Sequence, residues 1–222
     1  MEIFELRSVA YGNGKFVAVG ETRDFTSNAA NKIYSTDGVN WNKSAGNHNT
    51  YDNYSHVAFG NGKFVTSTYS DGDIIISSDG YSWDLAYENL VIAESPKVFA
   101  DGKFVIPLKG KTCMSADGSS WDRYSNNLTF YPNGVAYGNG RFVVVGDDGK
   151  VAYSTDGVNW TNVTIKDGFS IDMTTLNNVC YGNGKYIVVG DDGNVRYSTD
   201  GINWSEKIVL GSYDLYGICP VQ

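Results

Sequence analysis

The chain has 222 residues, of which 41% are hydrophobic and 14% aromatic, and this composition excludes a disordered protein. Its formal net charge is −8 with no cluster of Lys and Arg, so we predict no nucleic-acid partner. The N-terminus lacks the basic start and apolar core of a signal peptide, and no apolar run approaches the roughly 18 residues of a membrane helix. We therefore predict no signal peptide and no membrane insertion.

Few residues favour metal or nucleophile chemistry. The three cysteines, Cys113, Cys180 and Cys219, cannot all pair within one chain, and their spacing matches no zinc or redox motif. We predict that they are small buried apolar side chains. The two histidines, His48 and His56, are predicted to be solvated loop residues. We expect no metal, no cofactor and no catalytic residue.

Two short motifs alternate along the chain, five times each. The first is Tyr-Gly-Asn-Gly-Lys-Phe-Val at 11–17, with close copies at 59–65, 99–105, 137–143 and 181–187. The second is Ser-x-Asp-Gly-x-x-Trp, at 35–41, 77–83, 115–121, 154–160 and 198–204. The tryptophans lie 42, 38, 39 and 44 residues apart (83−41, 121−83, 160−121, 204−160). This spacing is the period of a four-stranded propeller blade, so the sequence predicts an all-β, five-bladed β-propeller of four-stranded antiparallel blades.

The fourth repeat illustrates the predicted strands and turns of a blade. Asn139-Gly140 predicts a tight hairpin, because both residues tolerate positive φ. The uniformly apolar run that follows it predicts a second strand covered on both faces. The predicted strands are Val135 to Tyr137, Arg141 to Val145, Val151 to Ser154, and a fourth that opens with Asn159-Trp160-Thr161; turns lie at Asp147-Asp148-Gly149 and Asp156-Gly157.

One domain, 1–222, is predicted, and its last segment is ambiguous. The predicted blades are 8–50, 56–92, 97–129, 134–170 and 178–210, with 211–222 as a closing or exchanged strand. The segment from Asp214 to Ile218 is similar to a first strand such as Asn178 to Gly182, yet Ser8 to Tyr11 already supply a first strand to blade 1. The sequence leaves open whether the last segment, or Glu2 to Leu6, fastens the ring, caps an edge or pairs with another chain.

The Ser-x-Asp-Gly-x-x-Trp motif resembles a short variant of the Asp-box, the sialidase-type (BNR-like) propeller repeat. The resemblance implies that its Asp and Ser bond the turn backbone and that its Trp packs between blades. The residues to which it gives this structural role are Asp37, Trp41, Asp79, Trp83, Asp117, Trp121, Asp156, Trp160, Asp200 and Trp204. The whole repeat is similar to those of bacterial and phage tail-associated proteins, including tail-fibre and baseplate proteins.

This resemblance implies a non-catalytic recognition or structural module of a phage or phage-like tail. Its partners would be cell-surface glycan or other particle or cell-surface proteins, and it would form a homo-oligomer in the virion or particle. The alternatives are a free-standing bacterial carbohydrate-binding lectin, cytoplasmic or non-classically exported, and a glycoside hydrolase. Sialidase activity is not expected, because no arginine lies in a sialidase-like motif.

The predicted binding surface is made by the loops that differ among the five repeats. In a four-stranded blade, the loops between second and third strands share one face with the connections between blades, and these vary while the hairpins and boxes do not. Tyrosines beside amides and carboxylates are typical of sugar and protein interfaces. The predicted ligand-binding residues are Tyr51, Tyr54, Tyr87, Tyr124, Tyr131, Asp147, Asp148, Asp191 and Asp192.

Overall fold

The computed structural model describes residues 4–22, 31–45, 53–91, 95–167, 170–171 and 174–219. The strands of the first two blades are β1 (Phe4–Gly12), β2 (Lys15–Thr22), β3 (Lys32–Ser35), β4 (Asn42–Lys43), β5 (Tyr54–Gly60), β6 (Lys63–Thr68), β7 (Ile74–Ser77) and β8 (Asp84–Tyr87). Those of the third and fourth are β9 (Val98–Ala100), β10 (Lys103–Leu108), β11 (Lys111–Ser115), β12 (Asp122–Ser125), β13 (Pro132–Gly138), β14 (Arg141–Gly146), β15 (Lys150–Ser154) and β16 (Thr161–Thr164). A small hairpin, β17 (Lys166–Asp167) and β18 (Ser170–Ile171), precedes the fifth blade, which contains β19 (Leu176–Gly182), β20 (Lys185–Gly190), a 3-10 turn (Asp191–Gly193), β21 (Asn194–Ser198) and β22 (Ile208–Val209).

Five sheets of four strands each follow the chain order, so the predicted five-bladed antiparallel β-propeller is confirmed. The turn chemistry is also as predicted: Asn139 and Gly140 both have positive φ, and so do the matching residues of the other four hairpins. The fourth strand of blade 4 begins at Thr161, two residues after its predicted start. Among the described residues, no helix is long and apolar enough to cross a membrane.

The hairpins place one pair of aromatic rings at the start of every blade. In blade 1 the rings of Tyr11 and Phe16 have centroids 4.7 Å apart, and in blade 4 those of Tyr137 and Phe142 are 4.6 Å apart. Blades 2, 3 and 5 have the same pair, at 4.7, 4.8 and 4.7 Å. The recurring aromatic residues of the first motif therefore pack on each other across the hairpin.

Contacts divide the chain into two compact units, residues 1–106 with 113–123 and residues 107–112 with 124–222. The core of the first unit joins blades 1 and 2, since Val17 and Val19 of β2 pack with Phe64, Ile75 and Trp83. The core of the second joins blades 4 and 5 through residues of β13, β14, β15, β19 and β20. The second strands are buried on both faces, as their uniform apolar runs predict.

The cysteines differ in their surroundings. Cys113 and Cys180 are buried free thiols, as predicted, but the prediction for Cys219 is wrong because this residue is exposed. Cys219 belongs to the segment that follows the last strand of blade 5, where no further strand covers it among the described residues. Burial, and then the neighbouring Cys219, raises the pKa of the Cys180 thiol.

Candidate functional site

Each of the five Ser-x-Asp-Gly turns is held by its own side chains. In blade 4, the Ser154 hydroxyl accepts a hydrogen bond from the Gly157 amide at 2.9 Å, and Asp156 Oδ1 accepts from the Val158 and Asn159 amides at 2.8 Å each. The Asn159 side chain also donates to Asp156 Oδ2 at 2.7 Å. Short polar side chains thus satisfy amides that the turn would leave without partners.

These hydrogen bonds favour the ionised box carboxylates. Bonds from the Asn40 backbone and side chain, then from the Val39 amide, hold the pKa of Asp37 well below its usual range. The other box carboxylates also have lowered pKa values. Burial raises these pKa values, but the hydrogen bonds within the turn together lower them by more; the residues are Asp79, Asp117, Asp156 and Asp200. The boxes therefore use their carboxylates within the turn.

The hairpin motif reaches from one blade to the next, a function that the sequence analysis missed. The Asn13 side chain donates to the carbonyl oxygens of Gly62 and Ser78 at 2.9 and 2.8 Å, and Lys15 Nζ donates to the Asp79 carbonyl at 2.7 Å. The next pair of blades is joined by Asn61 to the Ala116 carbonyl at 3.1 Å and Lys63 to the Ser119 hydroxyl at 3.0 Å, and blades 4 and 5 by Arg141 to the Asp200 carbonyl. A tight hairpin alone does not require a Lys or Arg after it. The Lys or Arg that recurs after the hairpin glycine could therefore have predicted these hydrogen bonds to the next blade.

Of the predicted ligand-binding tyrosines, one lies outside the described residues and another is buried in a strand. Tyr51 lies outside the described residues. Tyr54 is buried in β5, where its hydroxyl accepts a hydrogen bond from Lys32 Nζ at 2.9 Å. The prediction for Tyr54 is corrected accordingly: β5 begins earlier than the repeat pattern indicates, so this ring belongs to the core between blades 1 and 2.

The other three predicted tyrosines lie on or beside edge strands of their sheets, Tyr131 directly before β13, and two of the three have a cation over the ring. Arg123 of β12 lies 5.5 Å from the ring centroid of Tyr87 in β8, within the first unit. Lys109 lies 5.3 Å from the ring of Tyr131, which is exposed, within the second unit. Tyr124 of β12 is also exposed. Aromatic rings paired with cations are thus presented at the edges of the blades.

The Asp-Asp-Gly turns use their carboxylates largely for local structure. Asp147 Oδ1 accepts a hydrogen bond from the Asn133 side chain at 2.9 Å, and its carbonyl accepts from the Lys150 amide at 3.1 Å. Asp148 has a φ of 56° and forms an exposed ion pair with Lys150 at 3.0 Å. This is the αL geometry that Asp and Asn tolerate in turns.

In blade 5 the equivalent turn is joined by two residues that the sequence analysis did not select. Asp191 Oδ1 accepts from the Asn177 side chain at 2.9 Å, and the Asp192 amide donates to Asp214 Oδ1 at 3.1 Å. The Tyr216 hydroxyl donates to Asp214 Oδ2 at 3.3 Å, and the charge of Asp214 raises the pKa of Tyr216. Within the part of the chain that the structure describes, no three His, Cys, Asp or Glu residues form a group suited to a metal ion.

Three basic residues interact in the first unit: Arg7 of β1, His56 of β5 and Lys97, which directly precedes β9. His56 is part of β5 rather than of a solvated loop, so that prediction is wrong; burial, then the charges of Lys97 and Arg7, lowers its pKa to about 3. Lys97 is buried and donates to the Ser95 carbonyl at 2.8 Å, and burial lowers its pKa to about 7. Both groups are therefore biased toward their neutral forms.

The blades define the chain as a β-propeller protein, and comparisons with solved structures agree. It is similar to YCF48 bound to D1 peptide (13% identity, 94% of this chain and 68% of that chain, TM-score 0.69) and to virginiamycin B lyase from Staphylococcus aureus (10% identity, 94% and 73%, TM-score 0.71). It is also similar to a chain of a nidogen/laminin complex (11% identity, 92% and 80%, TM-score 0.66). No protein-family model and no curated protein matches the sequence. These likenesses show the fold, which hosts proteins of diverse roles.

Proposed function

We propose that the chain is a non-catalytic recognition module that binds a neighbouring protein, as a component of a phage or phage-like tail. The observation that carries this proposal is the set of tyrosines at the blade edges, two of which have a cation over the ring. Tyr and Arg are enriched at protein interfaces, and Tyr contributes a large contact area at low entropic cost. The tail setting is supported by the similarity of the repeat to phage tail-associated proteins.

The geometry of these tyrosines favours a binding role. Tyr87 and Tyr124 lie on strands rather than in long loops, so their positions are fixed before a partner arrives. Arg123 over Tyr87 and Lys109 over Tyr131 further restrict the rings and place donors beside them. One of the similar structures is YCF48 bound to D1 peptide and another is a nidogen/laminin complex, which supports a protein as the ligand of a propeller of this kind.

The turn carboxylates support a non-catalytic role. A glycoside hydrolase needs two carboxyl groups available to one sugar, one of them as an acid. Asp147 and Asp191 accept hydrogen bonds from Asn133 and Asn177, and Asp148 pairs with Lys150. These bonds engage the carboxylate oxygens within the turns, so the carboxylates serve local structure rather than a bound sugar.

The proposal is tested by binding measurements on defined probes. The purified chain is tested by biolayer interferometry against each protein encoded beside it and against purified bacterial envelope polysaccharide. The double variant Tyr124→Ala/Tyr131→Ala is expected to bind its protein partner at least tenfold more weakly. Tyr81→Ala is the matched control, since Tyr81 is an exposed ring in the box of blade 2.

Three results would contradict the proposal. Binding to polysaccharide that the same double variant abolishes would identify the chain as a lectin. Release of reducing sugar from the polysaccharide would identify a hydrolase. Unchanged protein binding by the double variant would move the binding surface away from these tyrosines.

A further inference from the structure

Two of the junctions between neighbouring blades hold the same pair of side chains in their cores. Between blades 1 and 2, Val19 of β2 and Val57 of β5 are buried in one cluster. Between blades 4 and 5, the corresponding residues Val145 of β14 and Val179 of β19 are also buried together. A valine on the second strand of one blade thus packs in a common core with a valine on the first strand of the next.

The junction between blades 2 and 3 has polar residues at both of these positions. Lys97 stands four residues before the first residue of its hairpin turn, as Val57 does (101−97 and 61−57). Ser67 of β6 stands six residues after the first residue of its turn, as Val19 does (67−61 and 19−13). Ser67 and Lys97 therefore take the place of the valine pair, and both lie within the first unit.

Both polar residues are buried with hydrogen-bonding capacity to spare. Ser67 is 0% exposed, and its hydroxyl oxygen has no hydrogen-bond partner in the part of the chain that the structure describes. Lys97 is 8% exposed and donates to the Ser95 carbonyl at 2.8 Å, although an ammonium group carries three donors. Because buried polar groups in folded proteins are paired almost without exception, these donors require a further acceptor.

The electrostatic potential at this junction is positive. Burial lowers the pKa of Lys97 to about 7, and among the described residues no carboxylate forms an ion pair with its ammonium group. Burial, then the charges of Lys97 and Arg7, lowers the pKa of His56 on the adjoining first strand. Arg7 is paired with Glu21 at 2.8 Å, so the positive charge without a counter-charge is that of Lys97. A buried charge of this kind is normally compensated by an opposite charge.

We propose that Ser67 and Lys97 bind a small monovalent inorganic anion of the chloride class in the core between blades 2 and 3. The anion accepts hydrogen bonds from the Lys97 ammonium group and the Ser67 hydroxyl, and it neutralises the buried charge. A water molecule would accept the same bonds but would leave that charge without compensation. This site is independent of the partner proposed for the blade-edge tyrosines, because it uses none of them.

The proposal is tested by thermal unfolding of the full chain while chloride replaces gluconate at constant ionic strength. Constant ionic strength keeps the screening of surface charges unchanged, and gluconate is too large for a site in a packed core. The Tm is expected to rise with chloride, by about 5–10 °C once chloride is a hundredfold above its dissociation constant. A Tm that stays the same throughout the replacement would overturn the proposal.

The chain offers a matched control for this measurement. The double variant Ser67→Val/Lys97→Val gives this junction the valine pair of the other junctions. It is expected to fold, since an apolar pair in place of buried charge is often neutral or stabilising, and its Tm is expected to be the same in chloride and gluconate. A chloride-dependent rise that the double variant retains would place the anion elsewhere and contradict the assignment.

A second measurement does not depend on any variant. Crystals of the full chain grown in sodium bromide are expected to show an anomalous bromide peak in contact with Lys97 Nζ and Ser67 Oγ. A water molecule at this place, with no anomalous signal, would overturn the proposal. Bromide bound only at other positions of the chain would overturn it as well.

Discussion

The box tryptophans of the first two blades provide a matched test of what stabilises the repeat. Trp83 and Trp41 occupy the same position of the same motif, but Trp83 is 1% exposed and Trp41 is 38% exposed. Truncation of a fully buried Trp to Ala costs about 3–5 kcal/mol, because the lost transfer free energy is joined by a cavity. Without a closed cavity, and with a partly exposed ring, the same truncation at Trp41 is expected to cost about 1–2 kcal/mol.

These costs translate into separable melting temperatures. For a domain of 150–250 residues, each kcal/mol lowers Tm by roughly 2–4 °C, so Trp83→Ala is expected to lower Tm by about 6–20 °C and Trp41→Ala by about 2–8 °C. Differential scanning calorimetry at low chain concentration measures both, without relying on the fluorescence of the altered residue. Equal losses would refute the reasoning, because they would mean that the Trp stabilises its own turn rather than the junction with the preceding blade.

Three further predictions concern pH and the hairpin glycines. Because the box carboxylates have lowered pKa values in the folded chain, the stability that they contribute is fully present above about pH 4 and is lost as the pH falls below it. Asp156→Asn is therefore expected to reduce the difference in unfolding free energy between pH 6 and pH 3, measured by urea unfolding. In the folded chain His56 stays neutral, because its pKa is lowered to about 3, whereas in the unfolded chain it takes up a proton as the pH falls below about 6.5. The free energy of unfolding therefore falls as the pH falls through this range. His56→Gln is expected to reduce the slope of unfolding free energy against pH by up to about 1.4 kcal/mol per pH unit between pH 6 and pH 4.5, measured by urea unfolding. Gly138→Ala is expected to lower the free energy of unfolding by about 1–3 kcal/mol, because the added β-carbon would overlap Tyr181. At Gly140, where φ is 71° and no atom lies within 4 Å of an added β-carbon, Ala is expected to cost only the left-handed backbone strain of about 1–2 kcal/mol. Equal melting temperatures for Gly138→Ala and the unaltered chain would contradict the overlap with Tyr181.

The blades could be predicted from the sequence because their signals are local. An Asn-Gly pair between two apolar runs requires a hairpin wherever it stands, and five copies at one period leave little choice of architecture. The turn chemistry of Asp147 and Asp148 followed for the same reason. The hydrogen bonds of the hairpin motif to the next blade were not predicted, since the bond from Asn13 to the Ser78 carbonyl joins residues far apart in the chain.

The candidate site was harder to predict, because burial depends on where a strand begins. Tyr54 and His56 were assigned to a linker on the basis of polar neighbours, but β5 starts at Tyr54, so both residues are part of this strand. A one-residue change of register moves a side chain to the other face of a strand. The contact of Leu215 was missed for a related reason: the similarity of its segment to a first strand was visible, but the hydrogen bond that the Asn177 side chain donates to the Leu215 carbonyl at 3.1 Å was not.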